Sequence, residues 1–345
     1  MEINRSDRQV ELDIAKGIGI ILVVWAHANG PFSNYIVGFH MPFFFFISGM
    51  LYKNKGRNFK SYVSRKCVSL LLPFWWWNLI FEPIFFVLYY WKNWNFSVGI
   101  REVFEIITTL NKVPFLGATW FLASLFWVSI FVHLLVTLFG KYKWCDIVLL
   151  VVGIAIAILG FQITFPYKLS RTFICLLFYI SGYLYKKYIS GRLGIVCETI
   201  IAIFSILIYV VITGKYASGM GSNTYDNKFA FIIGAYLAIF FTLWLSNSLV
   251  IVAEKTALFN HLVYLGENSI DIVIWHFLAF RLAIIIQIIC AKAPISSITA
   301  FPVYEASAYW WIIYLVTGIY GSLLWKVILE HNPLTKVMRK IHMIR

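Results

Sequence analysis

The amino-acid sequence predicts an all-α integral membrane protein, a polytopic bundle of about ten transmembrane helices with both termini in the cytoplasm. Hydrophobic residues make up 61% of the 345 residues and charged residues only 13%, whereas soluble domains carry about 25% charged residues. Apolar runs close to the ~20 residues that a bilayer crossing requires recur along the whole chain. We therefore expect one membrane domain over residues 1–345 and no soluble domain.

Ten apolar runs, separated by charged or turn-rich segments, are the candidate spans. They lie near residues 14–30, 35–52, 68–91, 118–139, 145–165, 170–186, 194–213, 229–248, 269–290 and 309–329. If the N-terminus is cytoplasmic, most lysine and arginine residues outside these spans fall on the cytoplasmic side. The positive-inside rule therefore predicts that orientation.

The net charge of +14 is explained by this topology. A nucleic-acid-binding protein would concentrate its basic residues on one compact module, but here they stand between apolar runs, so no nucleic acid is expected as a partner. The five cysteines are scattered through apolar stretches without a CxxC pair. They are predicted to be small hydrophobic residues rather than a disulfide or zinc framework.

The most unusual stretch, residues 11–52, places charged and histidine side chains inside the first two spans. Lys16 and His27 are eleven residues apart, so on a helix they share one face and stand about 16 Å apart along the axis. Burial of ionisable groups in lipid costs free energy. Two of them on one face of a membrane helix therefore suggest a functional site. Two alternatives apply to Lys16. It can anchor the helix at the membrane surface, or it can pair with Asp13.

Three histidines are predicted to meet in the central to outer part of the bundle. His27 lies beyond the midplane of span one, His40 lies near the outer end of span two, and His276 lies near the middle of span nine. They are candidate catalytic residues, although each could also be a hydrogen-bonded core residue. No metal site is predicted, because the chain has no HExxH motif and the first two histidines lie on different spans.

Four further residues are weighed between function and structure. Glu82 in the middle of span three and Arg171 at the outer start of span six are cavity candidates, and Arg171 can alternatively be an interfacial anchor. Trp120 fits either the aromatic belt or a cavity wall. Ser48 is weighed between a role in a site and a packing role.

A short repeat supports the packing role of Ser48. The segment ISGMLYK at 47–53 returns as ISGYLYK at 180–186, at the cytoplasmic end of another predicted span. Small-residue pairs such as Ser48–Gly49 let membrane helices approach closely. Seven residues are too few to indicate a duplication.

Four motifs together resemble the acyltransferase-3 family of membrane O-acyltransferases, and within it the sugar O-acetylase branch of fucose 4-O-acetylase-like enzymes. In chain order they are LDIAKGIGIILVVWAH at 12–27, FHMPFFFFISGMLY at 39–52, TWFL at 119–122 and LGENSIDIVIWH at 265–276. The family pattern has an arginine before the first-span histidine. Lys16 occupies that position here, which keeps the charge but loses the bidentate fork of arginine.

The resemblance implies a transfer of acetyl or another short acyl group. The donor would be cytoplasmic acyl-CoA, with acetyl-CoA as the expected form and no other cofactor bound. The acceptor would be a hydroxyl of a cell-surface glycan or lipid-linked sugar, in a multi-pass protein of the bacterial cytoplasmic membrane. Membrane lipid is the expected surrounding, and a homo-oligomer is possible.

The resemblance also suggests roles for the residues singled out above. His27 would be the general base or a transient acyl carrier, and His40 or His276 would orient it or polarise the thioester carbonyl. Lys16, Asp13 and Trp120 would bind the donor, and Ser48 would be an acyl relay if it is not a packing residue. The competing class is a transporter or flippase, which central ionisable residues and polar outer loops also fit.

Overall fold

The protein is almost entirely helical. The computed structural model describes residues 7–54, 56, 58–90, 96–110, 112–165, 169–254 and 256–344. In chain order the elements are α1 (Asp7–His27), α2 (Ser33–Val37), α3 (His40–Met50), α4 (Phe59–Lys66), α5 (Leu72–Tyr90), α6 (Phe96–Thr109), α7 (Trp120–Phe139), α8 (Cys145–Gln162), α9 (Leu169–Tyr188), α10 (Ile195–Lys215), β1 (Ser218–Gly219), β2 (Thr224–Tyr225), α11 (Lys228–Ala253), α12 (Ala257–Glu267), α13 (Ser269–Cys290), α14 (Trp310–Val316), α15 (Ser322–Glu330) and α16 (Thr335–Lys340). π-helical turns at Cys67–Leu71 and Thr317–Gly321 join α4 to α5 and α14 to α15, and 3₁₀ turns form Pro114–Thr119 and Ile295–Thr299.

Seven helical segments within the described residues are long and apolar enough to cross a membrane. They are Phe59–Leu88, Gly99–Phe139, Cys145–Gln162, Ile195–Lys215, Lys228–Val252, Ser269–Cys290 and Trp310–Glu330. This confirms the prediction of an all-α, multi-pass membrane bundle. The other three predicted spans are shorter or more polar, and they are also helical, as α1, α2 with α3, and α9.

The second predicted span is divided, where the sequence predicts one helix over 35–52. Helix α2 ends at Val37 and α3 begins at His40, with Phe39 at a non-helical φ of −134° between them. Pro42 explains the break, because proline is tolerated in the first turn of a helix but disrupts the interior. The break places His40 at the first residue of α3. From there its ring can hydrogen-bond to a backbone carbonyl at the end of α2.

The seven-residue repeat is a packing device, as its small residues predict. A Cβ atom on Gly49 of α3 would lie 1.9 Å from the carbonyl oxygen of Tyr179 on α9, and a Cβ on Gly182 of α9 would lie 1.9 Å from that of Phe46 on α3. Each glycine therefore receives the backbone of the other helix. This reciprocal contact brings α3 and α9 together.

A second reciprocal glycine contact fixes α1, and the sequence did not reveal it. A Cβ on Gly17 would meet the carbonyl oxygen of Leu262 at 2.1 Å, and one on Gly266 would meet that of Asp13 at 1.8 Å. Helix α1 thus lies directly against the backbone of α12. The contact fixes the N-terminal half of α1, the helix that ends at His27.

The segments between the spans on the predicted outer side contain regular structure. Residues 214–228, which are rich in glycine, serine and asparagine, include a short antiparallel ladder in which Ser218 pairs with Tyr225. Between α5 and α7, residues Phe96–Thr109 form helix α6.

Candidate active site

The three predicted histidines lie together. The Nδ1 atom of His27 is 3.0 Å from Nε2 of His276, and the two rings are stacked with their centroids 5.1 Å apart. The ring of His40 stands edge-on to His27 at a centroid distance of 5.8 Å. His40 and His276 are buried, with 4% and 0% of their surfaces exposed, respectively, whereas His27 is partly exposed.

The end of α1 determines where His27 stands. His27 is the last residue of the helix, and Asn29 follows with a left-handed φ of 54°. The amide of Gly30 donates back to the carbonyl of Trp25 at 3.2 Å, which is the bond of a Schellman-type helix end. The imidazole therefore projects from a fixed helix terminus into the bundle.

The hydrogen bonds of His40 and His276 determine which ring nitrogens of the three histidines carry a hydrogen atom. Nδ1 of His40 contacts the carbonyl of Ile36, and Nδ1 of His276 contacts that of Ile272, each at 2.9 Å. A carbonyl oxygen only accepts, so both Nδ1 atoms carry the hydrogen. Nε2 of a neutral His276 then accepts from Nδ1–H of His27. This leaves Nε2 of His27 with a lone pair, which is the arrangement of a base held by a second histidine.

An aromatic cover lies over these histidines, and the sequence analysis missed it. The ring of Phe277 is 4.7 Å from that of His27 and 4.2 Å from that of His276, between centroids. Phe301 packs on Phe277 at 4.8 Å. A Cβ on Gly117 would come within 3 Å of both phenylalanine rings. The only signal in the sequence was the position of Phe277 next to His276.

Arg281 holds this cover in place. Its guanidinium donates to three carbonyls of the loop that follows α13. These belong to Ile298 at 2.8 Å, Ala300 at 2.5 Å and Pro302 at 2.7 Å. Arg281 lies one and a half turns after His276 on α13. Its guanidinium thereby fixes the loop that carries Phe301.

Lys16 is paired with Asp13, the alternative that the sequence left open. Its Nζ lies 2.6 Å from Oδ1 of Asp13, and the two side chains are 22% and 16% exposed. Both residues lie on α1 below His27, on the helix that α12 holds. The pair is therefore partly shielded rather than freely exposed at the membrane surface.

Trp120 and Arg171 form one contact. The guanidinium carbon of Arg171 lies 4.7 Å from the ring centroid of Trp120, and Trp120 also packs on Phe45, which follows His40 on α3, at 6.5 Å. Both residues stand in the first turn of their helices, α7 and α9. They therefore lie at the same membrane level, as a cation on an aromatic wall.

The two remaining predicted residues make contacts within or between neighbouring helices. Glu82 is 3% exposed, and Glu102 on α6 lies beside it. The hydroxyl of Ser48 donates to the carbonyl of Phe44 at 2.7 Å, in agreement with a packing role.

Two adjoining cavities lie toward the predicted cytoplasmic side. One has a volume of about 160 Å³ and is lined by Trp275, Asp271 and Lys326 among others. The other has a volume of about 470 Å³ and is lined by Ser48 and several basic side chains. Ser69, in the π-helical turn Cys67–Leu71, lines both. Because Trp275 immediately precedes His276, the smaller cavity reaches the level of the histidines.

Among the described residues, no group of three or more histidine, cysteine, aspartate or glutamate side chains has a geometry suited to a metal ion. Two of the three histidine Nδ1 atoms are already engaged by backbone carbonyls.

Comparison with known proteins agrees with the motifs. A family model described as an acyltransferase domain, that of the acyltransferase-3 family, matches residues 9–327. The nodulation protein NolL of Mesorhizobium japonicum is 26% identical over 207 residues, which cover 55% of this chain and 51% of that protein. The chain thus spans about half the length of this curated relative. No solved structure matches. The family match extends over nearly the whole chain and includes all three histidines, so the protein belongs to the acyltransferase-3 family.

Proposed function

We propose that the protein is a membrane O-acyltransferase that moves an acetyl or other short acyl group from cytoplasmic acyl-CoA to a sugar hydroxyl. The acceptor is a cell-surface glycan or a lipid-linked sugar. The observation that carries this proposal is the hydrogen-bonded pair of His27 and His276 in the membrane domain of an acyltransferase-family chain. It provides a base inside a bundle that separates the two substrates.

In the reaction, His27 acts as the general base. Its Nε2 takes the proton of the acceptor hydroxyl while the hydroxyl oxygen attacks the thioester carbonyl carbon. The carbon–sulfur bond then breaks, and the departing sulfur takes the proton from His27 as coenzyme A leaves. His276 positions the base by accepting from its Nδ1–H.

His40 is better suited to the acceptor than to the thioester. Its Nδ1–H is engaged by the carbonyl of Ile36, so a neutral His40 offers only the lone pair of Nε2. A lone pair accepts from a sugar hydroxyl but cannot polarise a carbonyl oxygen. We therefore assign His40 to orientation of the acceptor sugar.

Trp120 and Arg171 also fit the acceptor side. The family resemblance suggested that Trp120 binds the donor, but Trp120 lies against Arg171 at the predicted outer end of α7. Aromatic faces and planar cations are suited to sugar rings and to acidic groups on a glycan. Lys16 with Asp13 remains on the donor side, below His27 on α1.

The proposed topology is the one that the sequence predicts. Ten spans with both termini in the cytoplasm, in the bacterial cytoplasmic membrane, place Lys16 at the inner side and His40 at the outer side. The donor then enters from the cytoplasm, and the acceptor from the opposite face.

Examination of the surface glycan tests the proposal directly. In a deletion strain, NMR of the glycan should show the loss of one ester, which the wild-type gene restores and His27→Gln does not. Removal of a general base costs about 10²–10⁴-fold in rate. The matched control is His331→Gln, because His331 makes the same Nδ1 contact with a carbonyl of its own helix at 2.9 Å but is exposed.

Proteoliposomes separate the enzyme from the transporter. Purified protein supplied with radiolabelled acetyl-CoA and glycan should incorporate label covalently into the glycan. Flux of label without covalent transfer would support a carrier and contradict the proposal. Full incorporation by the His27→Gln protein would remove His27 from the mechanism.

A further inference from the structure

Arg171 is a cation without an anionic partner in the part of the chain that the structure describes. It stands in the first turn of α9, with its guanidinium carbon 4.7 Å from the ring centroid of Trp120. Its Nε atom is buried and has no hydrogen-bond partner. No described carboxylate forms an ion pair with it. A cation without a counter-charge costs free energy inside a membrane bundle, so Arg171 is a candidate for binding an anion.

Two other partly buried cations of the bundle are compensated. Lys16 pairs with Asp13 at 2.6 Å. Arg281 lacks a carboxylate, but its guanidinium donates to three backbone carbonyls. Arg171 makes neither kind of contact with a described residue. The ring of Trp120 stabilises its charge, but an indole offers no lone pair to its N–H groups, so these donors are left for a ligand.

The position of Arg171 is fixed by the neighbouring elements. The next residue on α9, Thr172, hydrogen-bonds to Ser124 of α7 with 2.8 Å between the hydroxyl oxygens, and both side chains are buried. Ser124 lies one turn after Trp120, so this bond joins the two helices that carry the cation and the indole. Tyr225 of β2 also lies beside Arg171. The guanidinium is therefore held next to two aromatic side chains, in a preorganised position.

This cation is close to the histidines. Trp120 comes three residues after Gly117, at which a Cβ would lie 2.9 Å from the ring of Phe277. Phe277 in turn covers His27, with 4.7 Å between the ring centroids. The contact of Arg171 with Trp120 therefore stands beside the aromatic cover of the base, at the predicted outer side, from which the acceptor approaches under the proposed function.

One guanidinium suits a carboxylate better than a diphosphate. The planar fork of arginine binds both oxygens of a carboxylate through parallel hydrogen bonds. A carboxylate carries a single charge, which one cation offsets, whereas a diphosphate carries more than one. Among the described residues, Arg171 is the one cation that lies against Trp120. The chemistry of the site therefore favours the carboxylate of an acidic sugar.

We propose that Arg171 binds a carboxylate of the acceptor, which is then an acidic glycan with a uronic acid or a similar carboxylated sugar close to the acylated hydroxyl. The inference rests on the proposed function and narrows its acceptor from any surface glycan to an acidic one. Arg171 is in this case a specificity-determining residue. It does not touch the reacting atoms, and it holds the acceptor so that the hydroxyl faces His27.

Chemical reduction of the native glycan tests the proposal. The acceptor is glycan from the deletion strain, because it lacks the ester, and carbodiimide with borohydride converts its carboxylates to neutral alcohols. With wild-type protein in proteoliposomes and radiolabelled acetyl-CoA, the KM for the reduced glycan should be about tenfold or more above that for the untreated glycan. This is the loss expected for hydrogen bonds between charged groups. The KM for acetyl-CoA should be unchanged.

Variants at position 171 assign the carboxylate to this side chain. In Arg171→Gln the KM for untreated glycan should rise to the value that wild type has for reduced glycan, and reduction should add no further loss. Its KM for acetyl-CoA should stay at the wild-type value, which shows that the variant is folded. Arg171→Lys keeps the charge without the fork and should recover part of the affinity. The matched control is Arg101→Gln, which removes an exposed cation on α6 and should retain the wild-type ratio of the two KM values.

Three results would overturn the proposal. Equal KM values of the wild type for reduced and untreated glycan would show that no carboxylate is recognised. An unchanged KM for the glycan in Arg171→Gln would identify Arg171 as an interfacial anchor. A loss after removal of phosphate esters with hydrofluoric acid, without a loss after carboxyl reduction, would assign the cation to a phosphate. Absence of transfer to any glycan by the wild type would instead contradict the proposed function, so the two failures are distinguishable.

Discussion

A histidine that acts as a base inside a membrane must keep a lone pair pointed at its substrate. In this protein the carbonyl of Ile272 imposes the tautomer of His276, and His276 imposes that of His27. The backbone of α13 therefore determines which nitrogen of His27 is basic. Because the two imidazoles stack at 5.1 Å, the ring of His27 has little freedom to turn.

The role of His276 can be tested by removing its acceptor atom. His276→Ala leaves Nδ1–H of His27 without its partner, so we expect kcat to fall roughly 10²–10⁴-fold, as when the group that orients a catalytic histidine is lost. The KM for acetyl-CoA should change little. His276→Gln, whose amide oxygen can accept, should recover part of the rate in the same steady-state assay. Equal losses in both variants would indicate a packing role.

At the scale of the helices, close contacts between backbones decide where the functional residues stand. Gly49 and Gly182 join α3 to α9, and Gly17 and Gly266 join α1 to α12. In a bilayer, van der Waals packing of this kind replaces much of the hydrophobic driving force. Helices α1 and α3 carry His27 and His40, so these contacts hold two of the three histidines.

Alanine at these glycines should separate the helices. In Gly49→Ala or Gly182→Ala the new methyl group would lie 1.9 Å from a carbonyl oxygen, so the backbones must move. Overpacking of this kind lowers the free energy of unfolding by about 1–3 kcal/mol, which should exceed the gain of about 1 kcal/mol in helix propensity. Thermal unfolding in detergent measures the fall in Tm.

The control for the glycine variants is Gly194→Ala, because nothing lies within 4 Å of a Cβ at that position. It should unfold at the wild-type temperature. Wild-type stability of Gly182→Ala would show that α3 and α9 tolerate a wider separation than the structure has.

At the scale of the whole molecule, the distribution of charge fits the proposed direction of the reaction. The basic side chains that line the cavity of about 470 Å³ lie on the predicted cytoplasmic side, and the loop fixed by Arg281 lies on the other. Donor and acceptor would therefore approach the histidines from opposite faces. Such an arrangement would move an acyl group across the membrane without moving coenzyme A.

Labelling of single cysteines tests this orientation. In a background without the five native cysteines, Ser222→Cys in the exposed β1–β2 turn should react with a membrane-impermeant maleimide in intact cells. Gly194→Cys, exposed before α10, should react only after permeabilisation, because the positive-inside rule places it in the cytoplasm. The opposite pattern would reverse the topology and the proposed sides of donor and acceptor.

The sequence by itself determined the membrane class, the positions of seven spans and the histidines that meet. Composition and run length control the first two, because the bilayer accepts only long apolar helices. The depth of each histidine follows from its place in a span. The packing role of the repeat at 47–53 and 180–186 could also be predicted, since small residues in a span permit close approach.

Only the tertiary structure decided which nitrogen of His27 is basic, what covers the site and where the cavities on the predicted cytoplasmic side lie. These depend on contacts between residues far apart in the chain, such as His27 with His276 and Tyr52 with His133. The position of the loop that Arg281 binds depends on such contacts as well. A hydropathy pattern records how deep a residue lies, but not the direction of its hydrogen bonds or the partner that its helix contacts.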